Sequence, residues 1–292
     1  MDYLLLIVAI VIFFIQTISF KEFNRSYMKN LASYFLFNAG YFSLVVLLLL
    51  AFNRQFEALS PMTWLLGLLF GSLFIITMLV YMKAMENGPL AYSSLLFSFG
   101  IVVPVIVGIF FWQEPARLIQ IAGLVLLLLT LVISNRQKSS AQSPVSLRWL
   151  LFAALSMLGN GLLMTVSKAH QMIMPGREVE EFLILAFGSA ALFSLMLFIY
   201  RHKGKKDPVP HMRSHRLVLI MLAAGLTTAF GNQIALSLSG RLPAIIQFPT
   251  MNGGTVILAT LFAVIVYRER MTRSSAAGLV LGLAALVMLS LR

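Results

Sequence analysis

Ten runs of apolar residues, each near twenty residues long, constrain this chain more than any other feature. They lie at roughly 3–20, 31–52, 63–84, 90–112, 117–134, 148–170, 181–200, 216–238, 243–267 and 274–291. A helix rising 1.5 Å per residue needs about 20 apolar residues to cross the hydrocarbon of a bilayer. Inside the bilayer every backbone amide must find its partner within the protein, so such runs form helices. The connections are short, the longest running from Arg201 to Arg216, which leaves no room for a soluble domain. The expected fold is therefore all-α and integral to the membrane, with ten transmembrane helices. With 60% hydrophobic and 11% charged residues, the chain falls far from the roughly 25% charge of soluble domains. Residues 1–20 are read as the first span, because Asp2 stands where a signal peptide carries positive charge.

A net charge of +12 would suit nucleic acid if it were gathered on a soluble surface. Here Lys and Arg sit in the short loops, where they set membrane orientation, so no nucleic-acid partner is expected. With ten spans, the termini share a side with Arg54, Arg117, Lys168, Arg177, Arg241 and Arg292, and the remaining Lys and Arg fall on the other. The positive-inside rule then places both termini outside the cell membrane, which we read as an inner membrane. The acidic residues all lie at or near segment ends; a carboxylate at mid-membrane depth, the usual mark of a proton or cation path, is missing. There is no Cys, and the four His (His170, His202, His211, His215) do not gather with acids in the sequence. An enzyme active site, a metal site and a cofactor are accordingly not expected.

The chain also repeats itself. Ala122-Gly123-Leu124-Val125-Leu126 recurs as Ala277-Gly278-Leu279-Val280-Leu281, and the same displacement carries Glu114 onto Glu269. A weaker echo links Thr17-Ile18-Ser19 with Thr165-Val166-Ser167. Two five-helix repeats, residues 1–136 and 147–292, follow. Five is odd, so the second would enter the membrane inverted relative to the first. Inverted repeats are a common plan of secondary transporters, with the solute held near the midplane between them.

The stretch Tyr81-Met-Lys-Ala-Met-Glu-Asn-Gly-Pro-Leu-Ala-Tyr92, an apolar helix, Trp112-Gln-Glu114 and a final helix rich in Ala and Gly resemble the C-terminal part of an EamA unit. Two such units make the chain similar to ten-helix members of the drug/metabolite transporter superfamily. The resemblance implies a central cavity, alternating access and a small-molecule solute, in a monomer or homodimer surrounded by membrane lipid. The related small multidrug pumps carry a membrane-embedded Glu in helix one, which this chain lacks. A lipid-phosphate carrier of the same superfamily, with Lys21, Arg25 and Lys29 at its rim, and a non-transport assembly subunit are the alternatives.

Two sets of residues are candidates for the site. Ser98, Gly100 and Pro104 in the fourth span and Pro249, Asn252, Gly253 and Gly254 in the ninth form a matched pair of proline- and glycine-bearing helices. Such interruptions free backbone carbonyls that neighbours, water or solute must satisfy, so Gly100, Pro104, Pro249, Gly253 and Gly254 are candidate hinges. Uncharged polar side chains within spans are the second set: Gln16, Asn38, Tyr41, Tyr81, Ser98, Asn160, Asn232, Gln233, Gln247 and Asn252. They bond across helices or face a wet cavity. Asn232 and Gln233 project about 100° apart, so one of the two is expected to line it. Lys83 and Lys168 are expected to snorkel to water, and Glu114 and Glu269 to clamp neighbouring Arg117, Arg268 and Arg270 at the membrane surface.

Overall fold

The computed structural model describes residues 1–28, 30–53, 58–135, 146–202, 214–266, 268 and 273–291. Among the described residues it is helical throughout, without a strand. The helices are α1 (Asp2–Ser26), α2 (Leu31–Phe52), α3 (Pro61–Asn87), α4 (Leu90–Ser98), α5 (Val102–Phe110), α6 (Leu118–Asn135), α7 (Leu147–Ile173), α8 (Val179–His202), α9 (His215–Ser239), α10 (Ala244–Ile265) and α11 (Arg273–Ser290). Each of the ten apolar runs coincides with helix. The fourth is divided: α4 and α5 flank a 3-10 turn over Phe99–Ile101. Eight helical stretches are long and apolar enough to cross a membrane, which makes this a multi-pass membrane protein. The apolar parts of α6 and α11, Leu118–Ile133 and Ala276–Ser290, are shorter.

Helix starts are set by side chains that take up the orphan amides of the first turn. The Asn30 carboxamide oxygen accepts from Ser33 N at 2.8 Å at the start of α2. Ser60 Oγ accepts from Thr63 N ahead of Pro61, the first residue of α3. Ser146 Oγ accepts from Trp149 N at the start of α7.

The chain divides into two compact units. The first comprises residues 3–75 and 169–240, that is α1, α2, the first half of α3, the end of α7, α8 and α9. In it α2 packs along α8 and α9. Phe42 meets Phe187 face to face at 5.4 Å, and Phe70 sets its edge against Phe182 and Phe187. Gly71 permits the approach of α3 to α8, since a Cβ there would lie 2.7 Å from the Ala186 carbonyl oxygen.

The second unit comprises residues 76–168 and 241–292: the rest of α3 and α7 with α4, α5, α6, α10 and α11. Here α6 packs along α11, and α10 against α11, α5 and α6. Gly123, from the repeated pentapeptide, lies where a Cβ would be 3.0 Å from Met288 Cβ and 3.1 Å from the Ala285 carbonyl oxygen. Small residues in membranes allow this close approach. Neither unit coincides with a sequence half: each takes helices from both.

Candidate functional site

In the first unit, the candidates Gln16, Asn38, Tyr41, Asn232 and Gln233 lie on α1, α2 and α9. Gln16 Nε2 donates to Thr228 Oγ1 of α9, a bond between helices. Tyr41 is buried in an aromatic cluster with Phe20, Phe37 and Phe42. Asn38 is buried, and among the described residues its amide nitrogen has no hydrogen-bond partner; Ser194 Oγ on α8 is in the same condition. Asn232 spends its amide on the Thr228 carbonyl of its own helix (2.8 Å). Gln233 instead donates to Glu180 at the rim of a small pocket lined by Leu49, Phe52, Asn53, Glu180, Phe230 and Gln233. Of this pair it is Gln233 that lines a pocket, one of about 10 Å³, enough for a single water-sized group. A shallower groove of about 270 Å³ runs between α2 and α8, where Ala39, Gly40, Ser43 and Ala191 leave space beneath Leu36 and Leu195.

In the second unit, Asn160 explains how the divided fourth span is held. Pro104 has no N–H to offer the carbonyl four residues back, that of Gly100. The helix tightens there into the 3-10 turn. Asn160 of α7 then donates its amide to the Phe97 carbonyl at 3.0 Å. Gly100 and Gly161 let the two backbones meet: a Cβ on Gly100 would stand 2.7 Å from the Met157 carbonyl oxygen, and one on Gly161 2.5 Å from that of Gly100. Asn160 therefore joins helices. Tyr81 packs on Phe97 at 4.4 Å, and Ser98 bonds its own helix at the Ser94 carbonyl. The expected partner hinge differs. Helix α10 continues through the buried Pro249, Gly253 and Gly254 without a break, and Gly253 serves contact with Leu127 and Leu286. Gln247 is fully buried and Asn252 half-buried on that helix. Two hydroxyls of this unit, Thr77 Oγ1 and Thr250 Oγ1, are buried without a hydrogen-bond partner among the described residues.

Lys168 corrects the expectation that it snorkels to water. It has no exposed surface. Its Nζ lies 2.8 Å from Glu114 Oε1 and donates to the Leu242 carbonyl at 2.8 Å. Glu114 does act as a clamp, but on Lys168 and on the first amide of α10, accepting from Ala244 N at 2.7 Å. Arg117, its neighbour in sequence, is exposed, and its backbone amide donates to Gln120. The carboxylate thus neutralises a buried cation and the positive end of a helix dipole together. Lys83 behaves as expected, pairing with Glu86 at 2.6 Å on the exposed end of α3. Lys29, His211, Glu269 and Arg270 lie outside the described residues.

A second carboxylate holds the start of α3. Glu178 Oε2 accepts from Ser60 N and Ser60 Oγ, both at 3.0 Å. Burial pushes this carboxyl up, but hydrogen bonds from Thr63 and Ser60 and the nearby His170 outweigh it, so Glu178 lies below the usual carboxylate range. Sequence reading missed this cluster because its members come from α3, α7 and the turn before α8. Among the described residues no group of three or more His, Asp or Glu is placed to hold a metal ion.

No family model matches the sequence, and no curated protein matches it. Among solved structures, a chain described as "Crystal structure of protein" aligns with 99% of this chain over 98% of its own length, with a TM-score of 0.76 and 17% identity. At that identity the likeness shows a shared fold.

Proposed function

We propose that this protein is a secondary transporter that moves a small, uncharged or zwitterionic solute across the inner membrane by alternating access. In this reading α6 and α11 complete ten spans, arranged as two inverted five-helix repeats of the EamA type. The order and lengths of the helices support the repeat. The sequence α1, α2, α3, α4–α5, α6 is followed by α7, α8, α9, α10, α11 with similar lengths, and the packed pairs α2–α8 and α6–α11 are corresponding members.

The observation that carries a solute role lies within the first unit: two buried polar atoms, Asn38 Nδ2 and Ser194 Oγ, have no hydrogen-bond partner among the described residues. Each such atom is a cost of roughly 1–3 kcal/mol in a protein with nothing to bind. A solute hydroxyl, carbonyl or amine, or the water it displaces, supplies the missing partner. Both are uncharged, as is fitting for a neutral or zwitterionic ligand.

A thermal-shift screen of the purified protein, with amino acids, sugars, nucleosides, polyamines, cationic drugs and polyprenyl phosphates, tests this. A ligand at a hundred times its Kd should stabilise by about 2.7 kcal/mol. Asn38→Leu and Ser194→Ala should each abolish that shift while leaving the unliganded melting temperature equal or higher, since each removes an unsatisfied polar group. A ligand shift unchanged in both variants would sink the assignment. One observation favours a second reading, a lipid-phosphate carrier: the groove between α2 and α8 is bordered by Leu192 and Leu195, both exposed on the apolar surface. Stabilisation by polyprenyl phosphate alone would select it.

A further inference from the structure

The turn between α7 and α8 holds a polar network separate from the residues named for the proposed solute. His170 and Gln171, in the last turn of α7, have no exposed surface. The His170 ring lies against that of Phe182 at 4.5 Å. Its Nε2 is 2.9 Å from Thr63 Oγ1 on α3, and its Nδ1 is 3.0 Å from Gln171 Nε2. The turn itself fixes which way the Gln171 amide points. Gly176 N–H donates to Gln171 Oε1 at 3.0 Å, and Gln171 Nε2 donates to the Arg177 carbonyl at 3.3 Å.

These bonds assign the imidazole tautomer. The Gln171 nitrogen has only protons to present, so His170 Nδ1 must accept. The proton of the neutral ring is then on Nε2, donating to Thr63 Oγ1. Thr63 in turn hydrogen-bonds Glu178, which also holds Ser60. An added proton on Nδ1 would face the N–H groups of Gln171. Turning the amide over would let Oε1 accept from Nδ1–H. It would also set an N–H against the Gly176 N–H and leave the Arg177 carbonyl facing an oxygen. The neutral ring with an anchored turn, and the charged ring with a released turn, exclude each other.

We propose that His170 is a proton-binding site whose occupancy sets the conformation of the α7–α8 turn through the Gln171 carboxamide. The proton comes from bulk water and forms one bond, Nδ1–H; no other group is exchanged. The turn is exposed at Gly176 and Arg177, which gives water a way in once it loosens. The charged groups facing the ring are Glu178 from the turn and Glu181 from α8. Thr63 of α3 and Ser60 just before it contribute hydroxyls, and Asn53, capping the end of α2, donates its amide to Glu181 at 2.9 Å. Helix α9 ends against Gln171 at Gly240, which brings no charge. The cation on α7 itself, Lys168, is paired with Glu114.

The chain has no cysteine, so a single Arg177→Cys substitution accepts a spin label on the turn. The full-length labelled protein in nanodiscs is titrated from about pH 8 to about pH 5, the range where an imidazole ordinarily changes charge. Label mobility should rise reversibly on acidification. With His170→Gln added, the label should stay in its alkaline state at every pH. With Gln171→Leu added, which removes the anchor, it should stay in its acidic state. A transition that survives His170→Gln would assign the titration to a carboxylate and overturn the proposal. So would a transition that survives Gln171→Leu, or its absence from the protein carrying the label alone.

Discussion

Burial decides what single charges are worth in this protein. Lys168 and Glu114 face each other with side chains 1% and 11% exposed. Removing one partner of a buried pair leaves the other charge uncompensated, at about 3–5 kcal/mol. Glu114→Gln should therefore lower the melting temperature sharply, although the Gln oxygen can still accept from Ala244 N. Adding Lys168→Met removes the stranded cation and should recover most of the loss, a coupling that a double-mutant cycle measures. Glu178 makes a pH prediction. Its carboxyl is depressed in the fold, so the unfolded chain takes up the proton first as pH falls. The stabilisation is fully present above the ordinary carboxyl pKa of about 4.3. It is lost as pH falls through the depressed value. Glu178→Gln should flatten the acid limb of a plot of melting temperature against pH and lower stability at pH 7.

The helices show which parts of the fold hydropathy can read. Every apolar run became helix, because residue-by-residue transfer cost is what drives a chain into hydrocarbon. The Gly100–Pro104 pair marked an interruption, and the 3-10 turn falls just before the proline. Pro249 is chemically alike, yet α10 runs through it as one continuous helix. Composition alone does not distinguish the two cases. Pairings between distant residues were not legible either. Hydropathy scores Lys168 as a cost to be relieved at a surface, whereas Glu114 cancels it in place. His170 likewise looked isolated because Thr63 meets it only once α3 packs against α7. The contact of α7 with the divided span gives a direct test. Gly161→Ala would place a methyl 2.4 Å from Val103 Cβ and 2.5 Å from the Gly100 carbonyl oxygen. Overpacking of this kind should cost about 1–3 kcal/mol, seen as a lower melting temperature.

For the whole molecule, charge distribution predicts a topology that labelling can check. The cysteine-free chain accepts single reporters at Arg177 and at Lys83, both exposed. With the termini outside, a membrane-impermeant maleimide should label Arg177→Cys on intact cells, and Lys83→Cys only after permeabilisation. The reverse pattern would place the termini in the cytoplasm. The two compact units, each drawing on both halves of the chain, also bear on biogenesis. Helix α2 leaves the ribosome long before α8 and α9, the helices it packs along. Until they arrive, its buried Asn38 and Ser33 face lipid or an insertion chaperone. The nascent protein must therefore be sheltered through synthesis of more than half its length, and a ribosome stalled between the halves releases a chain with neither core complete.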